Sequence, residues 1–424
     1  MTDAPFLLLI GAGGNAPEYR EFVLSRIAAA HRVVLVDAEV PAWTRPYLTP
    51  AHPHVAADLT DIASVAAAVK EFAADHPVSG VMTYMEHHVL AAAEVAQQLG
   101  LPTSTPESVA AARDKALTRR LLDEHQVPSA RARQAVTAEQ AVALADEIGY
   151  PVVVKPRSEA GSAGVIRATT AAEVEVAYQR AATESVLGAW HGPRGVLVEE
   201  WLDGAEISVE TVVLGPGDAR ILAVTRKEAA PVTTTQEYGH VICASDPLLH
   251  DGELAAVVSG AVSALGLTCG VLCIELMLTS TGPRVVEVNA RLGGDLLPLL
   301  AYHALGIDLA QIAAALATGA QPNLEPTRRA AAGIRFAYPD VSGVLERLTF
   351  PFGVHQLPYV ERAVLSLRPP TYVSAPPLAT LADRLAHWVV VAQDAPACRF
   401  LLADVARGLD VSIIPPAHAV SCTR

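Results

Sequence analysis

The fold prediction starts from Thr268–Asp295, TCGVLCIELMLTSTGPRVVEVNARLGGD. Two short apolar runs flank a polar segment that ends in Gly282, which predicts a β-hairpin with a glycine in its turn. If Ser280–Gly282 forms a three-residue loop, Glu275 lies directly opposite Glu287 on the neighbouring strand. The segment therefore predicts two facing carboxylates in an otherwise apolar hairpin.

Because side chains alternate along a strand, Glu287 and Asn289 are expected on one face, with Val286 and Val288 on the other. An isolated charge on an apolar strand would be costly, so converging oxygens favour a bound cation. Mg²⁺ (or Mn²⁺) takes such ligands, with one or two carboxylates completed by substrate phosphates. We therefore predict a metal site at Glu275, Glu287 and Asn289. The alternative is a solvated edge hairpin.

Composition indicates a globular α/β protein of two or three domains. Of 424 residues, 51% are hydrophobic and 18% are charged, and the formal net charge is −14. This acidity argues against a nucleic-acid partner, and no apolar run reaches the roughly 18 residues of a membrane span. Five cysteines without a disulfide or zinc spacing, and a start without a basic signal region, predict a reduced, cytoplasmic protein with no membrane partner.

The first domain is expected to be Rossmann-like. A strand at Phe6–Ile10, the turn GAGGN and a helix from Pro17 precede a second buried strand that ends at Asp37. A dinucleotide site would place its ribose-binding acid there, but the third glycine of its fingerprint is missing. Because Asp37 fits such a site but the glycine pattern is incomplete, an NAD-dependent oxidoreductase is kept only as an alternative. Glu86 follows a later strand at its carboxyl end, where open α/β sheets bind ligands.

A second ligand signal surrounds Lys155. The strand PVVVKP carries this lysine into the small-residue loop RSEAGSAGV, whose backbone N–H groups are suited to phosphate oxygens. The loop precedes a strand and lacks the ending of a Walker A motif. The chain has only four lysines, so each of them suggests a specific role at its position. They are Lys70, Lys115, Lys155 and Lys227.

The polar segment Arg226–Pro247 is long for a connection, so we expect a functional lid that carries His240. Leu296–Leu316 is expected to be helical. The C-terminal segment predicts helices around 379–388 and 400–408, and no motif in it indicates a function.

Three motifs resemble the ATP-grasp superfamily over roughly residues 80–345: the lysines in DKALTRRLL and PVVVKP, then VEEWLDGAEISVE, then IELML…VVEVNARLGGD. The resemblance implies an α/β fold with an α+β ATP-grasp core in two lid-type subdomains. It divides the chain into a Rossmann-like domain (1–112), a small lid subdomain with a linker helix (113–200), a large subdomain with the metal hairpin (201–332) and a C-terminal α/β domain (333–424).

The resemblance also implies roles for individual residues. The ATP-binding set is Lys115, Lys155, Ser158, Ser162, Gly164, Glu199, Trp201, Leu202 and Glu206. Within it, the lysines contact phosphates, Glu199 and the backbone of Trp201–Leu202 hold adenine, and Glu206 holds the ribose. Glu275, Glu287 and Asn289 bind Mg²⁺, and Arg291 faces the transferring phosphoryl group.

Within the superfamily the chain looks most like the bacterial L-amino-acid ligases that make dipeptides. This implies a C–N-forming ligase that releases ADP and phosphate through an acyl phosphate, acting on small carboxylate and amine substrates. His240 would be catalytic with Arg291, and the substrate-binding set would be Glu86, Gly293, Gly294 and Asp295. A purine-pathway ligase or a carboxylase-type enzyme is the alternative within the superfamily. A homodimer is left open.

Overall fold

The chain begins with a parallel α/β layer, in a computed structural model that describes residues 4–14, 16–159, 161–183, 194–228 and 236–415. Its elements are β1 (Phe6–Ile10), α1 (Pro17–Ala28), β2 (Arg32–Asp37), β3 (His54–Ala56), α2 (Ile62–Asp75), β4 (Val78–Met82), α3 (Val89–Gln98) and α4 (Pro106–Arg113). The strands pair in parallel in the order β3–β2–β1–β4. β1 is fully buried, as expected of an apolar run in a covered parallel sheet. The predicted Rossmann-like sheet is confirmed.

A small antiparallel sheet follows. Its elements are α5 (Lys115–Glu124), β5 (Ala132–Ala135), α6 (Ala138–Ile148), β6 (Val152–Pro156), β7 (Ile166–Ala168), α7 (Ala171–Thr183) and β8 (Val196–Glu200). The strand order is β5–β8–β6–β7, and α6 and α7 share its apolar core. The Thr137 hydroxyl caps the start of α6, and Gly149, at φ +95°, ends it.

The largest sheet has eight strands and contains the predicted hairpin. Its first elements are β9 (Ala205–Gly215), β10 (Asp218–Lys227), β11 (Gly239–Cys243), α8 (Gly252–Ala264), β12 (Gly270–Thr279) and β13 (Gly282–Asn289). They are followed by α9 (Leu297–Leu305), α10 (Leu309–Ala317), β14 (Ala331–Ala337), β15 (Gly343–Thr349), β16 (Val360–Leu365), β17 (Thr371–Val373), β18 (Ala386–Ala392), α11 (Ala395–Arg407) and β19 (Asp410–Ile414). The order in the sheet is β13–β12–β9–β10–β11–β14–β18–β16, antiparallel throughout.

The C-terminal segment continues this sheet through β14, β18 and β16, and only β17–β15–β19 form a sheet of their own. The boundary predicted between residues 332 and 333 falls inside β14, so it does not separate two sheets. The four-part division of the chain therefore stays a prediction. The helix predicted around 379–388 is wrong, because β18 pairs there with β14 and β16.

The helix predicted over Leu296–Leu316 is two helices, because Gly306 adopts φ +70° and ends α9. Among the described residues, no single helix is long and apolar enough to cross a membrane. The pair α9 and α10 meets that test only jointly, with a bend of 110° between them.

Candidate active site

A cavity of about 720 Å³ lies where the small sheet, the large sheet, α1 and the C-terminal segment meet. We call the part around β12 and β13 the hairpin end. The part lined by Arg20, Arg291 and Arg384 is the arginine end. The wall carries nine Asp or Glu and seven Lys or Arg side chains, a surplus of carboxylates that favours the uptake of a cation.

The hairpin pairs Glu275 directly with Glu287, as the sequence predicts. Its turn is shorter than predicted, because Thr279 pairs with Gly282, and a bulge after Glu275 restores the predicted register. A bulge interrupts the alternation of side chains. Val286 therefore lines the cavity together with Glu287, and the prediction that it faces away was wrong.

The two facing carboxylates have different cationic partners. Lys115 Nζ lies 3.1 Å from Glu287, and Lys227 Nζ lies 3.2 Å from Glu275. Burial raises the pKa of Glu275 to about 7; Lys227 opposes this rise and Glu287 adds to it. Burial would also raise the pKa of Glu287, but Lys115 and Lys155 outweigh burial and lower it.

These oxygens fit a divalent cation whose coordination is completed by a ligand. Asn289 is buried at the end of the same strand as Glu287. Across the part of the chain that the structure describes, no three His, Cys, Asp or Glu side chains converge to hold an ion on their own. Mg²⁺ ordinarily combines one or two carboxylates with phosphate oxygens and water. The site therefore suits Mg²⁺ bound together with a phosphate ligand.

Glu199 pairs with two cationic side chains, so its carboxylate is not free to bind an adenine base. Its carboxylate lies 2.6 Å from Lys155 Nζ and accepts a 2.9 Å hydrogen bond from Arg119 Nε. Burial would raise the pKa of Glu199, but Arg119 and Lys155 outweigh burial and lower it. The sequence analysis missed Arg119, although it lies one helical turn after Lys115 and thus on the same face of α5.

Lys227 is a second residue that the sequence analysis did not place in the site. Its Nζ lies 2.5 Å from Glu206, 2.8 Å from Glu237 and 3.2 Å from Glu275. Burial would lower the pKa of Lys227, but these three carboxylates raise it well above its ordinary value. The scarcity of lysine was the available signal, since three of the four lysines line the cavity and only Lys70 is exposed elsewhere.

The glycine-rich loop lines the cavity only in part. Ser162 is on the wall, in a left-handed conformation with φ +57°, whereas Ser158 and Gly164 do not line the cavity. Ala160 lies outside the described residues. The predicted phosphate contacts of this loop stay predictions.

Trp201 and Leu202 also line the cavity. The Trp201 amide donates to the Pro151 carbonyl at 3.2 Å, so it is engaged within the protein, and Leu202 is buried. The adenine role of Glu199, Trp201 and Leu202 and the ribose role of Glu206 stay predictions.

At the arginine end, Glu86 holds two arginines. It lies 2.5 Å from Arg291 Nε and 2.7 Å from Arg113 Nη1. Burial would raise the pKa of Glu86, but Arg291 and Arg113 lower it to about 2. Burial would lower the pKa of Arg291, but Glu86 and, to a smaller extent, Glu287 raise it. Glu86, predicted to contact substrate, therefore orients Arg291.

The C-terminal segment contributes Arg384, which no sequence pattern indicated. Its guanidinium donates to both oxygens of Asp295, at 2.6 and 2.9 Å, and to the Tyr338 hydroxyl at 2.9 Å. Burial would raise the pKa of Asp295, but Arg384 and a hydrogen bond from His240 lower it strongly. Asp295 and Leu296 both have left-handed backbones, at φ +49° and +62°, a strain typical of functional sites.

His240 is not on a lid. It lies on β11, is buried, and its Nε2 is 3.3 Å from Asp295. β11 pairs with β14, which is distant in sequence, and with β10, from which a further segment separates it. A polar sequence could not reveal these pairings, so the prediction of a lid was wrong for His240. Residues 229–235 of the predicted lid lie outside the described residues. The catalytic role of His240 stays a prediction.

Gly293 and Gly294 line the cavity beside Asp295. The Gly293 amide donates to buried Glu210 at 3.1 Å, and a Cβ on Gly293 would lie 2.4 Å from that carboxylate. Burial raises the pKa of Glu210 to about 7. Glycine is therefore required at position 293 for the loop to approach Glu210.

The glycine turn after β1 is filled by the protein itself. The Ala12 amide donates to Asp37 at 2.9 Å, so the acid expected to bind a ribose closes the turn. A Cβ on Gly11 would lie 2.3 Å from the His88 ring. This geometry does not favour the NAD-dependent alternative.

Comparison with known proteins agrees with this geometry. Residues 148–298 match the family model of the ATP-grasp domain, and residues 28–103 match that of the ATP-grasp N-terminal domain. Phosphoribosylamine–glycine ligase of Vibrio parahaemolyticus is 30% identical over 302 residues, which cover 68% of each chain. Carnosine synthase 1 of Homo sapiens is 29% identical over 60% of this chain, but the match spans only 32% of that relative.

The crystal structure of an L-amino acid ligase from Bacillus licheniformis superposes with a TM-score of 0.78, at 21% identity, over 97% of this chain and 99% of that one. At 21% identity, this structural similarity shows a shared fold and does not by itself show a shared activity. The predicted family, α/β fold and C–N-forming ligase class are confirmed by these comparisons together. The chain belongs to the ATP-grasp family.

Proposed function

We propose that this protein activates the carboxylate of an amino acid as an acyl phosphate, at the expense of ATP, and joins it to an amine. ADP and phosphate would be released. The observation that carries the proposal is one cavity with two unlike ends. Facing carboxylates stand among lysines at the hairpin end, and Glu86 holds Arg291 at the arginine end. Phosphoryl transfer to a carboxylate needs both a phosphate clamp and positive charge where negative charge develops.

At the hairpin end, Lys115, Lys155 and Arg119 would exchange part of their contact with Glu287 and Glu199 for the phosphates of ATP. Positioning and charge neutralisation are what phosphoryl transfer asks of a protein. Glu275, Glu287 and Asn289 would hold the metal. Mg²⁺ (or Mn²⁺), when bound, neutralises phosphate charge and orients the transferring group.

Arg291 would stabilise the charge that develops during transfer. Its Nε is fixed by Glu86, and its Nη1 donates to the Leu292 carbonyl at 2.7 Å, so the guanidinium has a defined orientation before any ligand binds. Such preorganisation lowers the reorganisation that the reaction requires.

His240 would assist attack by the amine, which is mostly protonated at neutral pH and must lose a proton. Its Nε2 faces Asp295, and its buried Nδ1 has no hydrogen-bond partner among the described residues. A histidine beside an ionised carboxylate is suited to receive a proton. Arg384 keeps that carboxylate in place.

The names of the relatives support an amino-acid substrate. One is a phosphoribosylamine–glycine ligase, and the solved structure described above is that of an L-amino acid ligase. The sequence similarity to the glycine ligase keeps a purine-pathway reaction as the second candidate.

The test is a screen of amino-acid pairs for release of ADP and phosphate, with products identified by mass. Phosphoribosylamine with glycine forms a separate arm. The expected result is a dipeptide with stoichiometric ADP. Stoichiometric AMP would contradict the acyl-phosphate mechanism, and turnover only in the separate arm would replace the amino-acid ligase by the purine-pathway reaction.

A further inference from the structure

Among the seven Lys and Arg side chains of the cavity, Arg20 is the one without a carboxylate within 4.0 Å among the described residues. Its two hydrogen bonds run from Nε to the Met85 thioether at 3.2 Å and from Nη1 to the Ala16 carbonyl at 3.3 Å. Sulfur is a weak acceptor, and 3.3 Å is beyond the usual range. Arg20 therefore retains capacity for an anion.

The glycine turn after β1 makes room for this side chain. Gly13 has φ +81°, and a Cβ at that position would lie 2.2 Å from Arg20 Nε and 2.7 Å from the Met85 sulfur. Any other residue would displace the guanidinium. The glycine pattern that resembles a dinucleotide motif thus has a local purpose here, which is the close approach of Arg20 to the backbone.

The first turn of α1 is also held in place. Arg362 Nη1 donates to the Glu18 carbonyl at 2.6 Å, and the Tyr19 ring lies 4.7 Å from the His387 ring. Both contacts come from the C-terminal segment. Arg20 therefore projects from a helical turn that two contacts hold against the C-terminal segment, as a prebuilt binding site requires.

Arg20 and Arg291 approach neighbouring residues of one segment, because Arg20 contacts Met85 and Arg291 contacts Glu86. Lys115 pairs with Glu287, and the charge of Glu287 acts on Arg291. Burial lowers the pKa of Arg20, and the positive charge of Arg291 adds to this lowering. Because Arg291 is already paired with Glu86 and Arg20 has no carboxylate partner among the described residues, Arg20 has capacity for a second anion besides the carboxylate that would react beside Arg291.

We propose that Arg20 binds an anionic group of the amine substrate, the carboxylate of the acceptor amino acid, and so selects acceptors that carry a negative charge. This inference rests on the proposed ligase function and names the substrate class of its second half-reaction. A phosphate on the amine would satisfy the same guanidinium, so the test separates the two sources.

The experiment measures ADP release for productive pairs from the amino-acid screen, with each acceptor as the free acid, the amide and the aminophosphonate. Wild-type protein is compared with Arg20→Met, Arg20→Lys and the control Arg26→Met. Arg26 lies on the same helix and pairs with Asp308 outside the cavity, so the control removes an equal charge.

In Arg20→Met, the acceptor KM should rise about tenfold to a hundredfold for the free acid, the range expected for a charged hydrogen bond. The KM of the amide and that of ATP should stay unchanged, and Arg20→Lys should recover part of the loss. A rise only for the aminophosphonate would assign the site to phosphate and overturn the carboxylate. An equal rise in KM for the free acid and for the amide would overturn anion binding at Arg20. If Arg20→Met does not fold, the same comparison of acid and amide is made with Arg20→Lys. Absence of ADP release from wild-type protein with every amine would instead reject the proposed function.

Discussion

The two ends of the cavity pair their charges differently. At the hairpin end, cations and carboxylates are shared: Glu199 holds both Lys155 and Arg119, and Lys227 lies among three carboxylates. At the arginine end, Arg291 and Arg384 each contact a single carboxylate, Glu86 and Asp295 respectively, and Arg20 contacts none among the described residues. A network in which one cation contacts several carboxylates can rearrange around a large polyanion and a metal, whereas a cation held by a single carboxylate keeps a defined orientation. The hairpin end is therefore suited to binding a phosphate ligand with a metal, and the arginine end to orienting Arg291 and the groups that react beside it.

The ends also differ in how they are built. The hairpin end comes from one continuous stretch of chain, Lys115–Asn289. The arginine end brings together α1, the segment after β4, the loop after β13 and the C-terminal segment. Substitutions at the two ends should therefore change different measurements.

The largest effect is expected for Glu287→Gln, which removes one of the two facing carboxylates without changing shape. Turnover should fall by about 10⁴-fold or more, since the metal supplies several kcal/mol of charge stabilisation. ADP release measures the loss, and a retained unfolding midpoint verifies the fold. Glu253→Gln, on the exposed side of the adjacent helix α8, is the matched control. A near-normal rate in Glu287→Gln would mean that the hairpin holds no metal.

His240→Ala should separate the half-reactions. Dipeptide formation is expected to fall about 10²- to 10⁴-fold, as for loss of a general base, while amine-independent ATP breakdown survives. His240→Gln should refill the buried space and keep a donor toward Asp295, but not restore the rate. Equal losses in both half-reactions, together with weaker ATP binding, would instead make His240 a packing residue beside Phe336.

The comparison also explains what the sequence could predict. Strand alternation and a short turn place Glu275 opposite Glu287, because both depend on neighbours close in sequence. The pattern did not predict the bulge at Val286. This bulge offsets the turn, which is shorter than predicted, so Glu275 still lies opposite Glu287. Scarce lysines pointed to the site, although the partners of Lys227 came only from the structure.

The arginine end was predicted less well for a physical reason. Arg20 and Arg384 reach the same cavity only after β18 has joined the large sheet and α1 has packed against the C-terminal segment. No local period or spacing marks such a meeting. His240 was assigned to a lid because its segment is polar. In the structure it lies on β11, which is buried because it pairs with β10 on one side and β14 on the other.

Glu86→Gln tests the ion pairs at the arginine end. Removing one partner of a buried ion pair commonly destabilises by about 3–5 kcal/mol, because Arg291 and Arg113 would keep uncompensated charges. The pH dependence gives a second readout. The pKa of Glu86 is lowered to about 2, so its contribution is present above an unfolded pKa of about 4.3 and is lost as the pH falls toward 2.

From well above the unfolded pKa to well below the folded pKa, wild-type protein should lose about 3 kcal/mol of unfolding free energy from this group alone, and about half of that loss should fall between pH 5 and pH 3. Urea denaturation from pH 5 to pH 3 should therefore show a flatter profile for Glu86→Gln than for wild-type protein. The exposed Glu71→Gln variant should retain the wild-type slope. Parallel slopes for Glu86→Gln and wild-type protein would show that the pairing contributes no net stability.

The smallest effect tests the shared pairing at Lys227. In the ligand-free protein, its ammonium group neutralises Glu206, Glu237 and Glu275, one of which is a proposed metal ligand. Lys227→Met leaves these carboxylates without their cation, so unfolding free energy should fall by about 1–3 kcal/mol. A divalent cation could then neutralise them, and Mg²⁺ alone should stabilise this variant more than wild-type protein. We expect roughly tenfold tighter apparent Mg²⁺ binding, read from the dependence of the unfolding midpoint on Mg²⁺ concentration.

Lys70→Met removes an exposed lysine and should respond like wild-type protein. If Mg²⁺ stabilises all three proteins equally, Lys227 does not compete with the metal, and the shared pairing does not extend to Glu275.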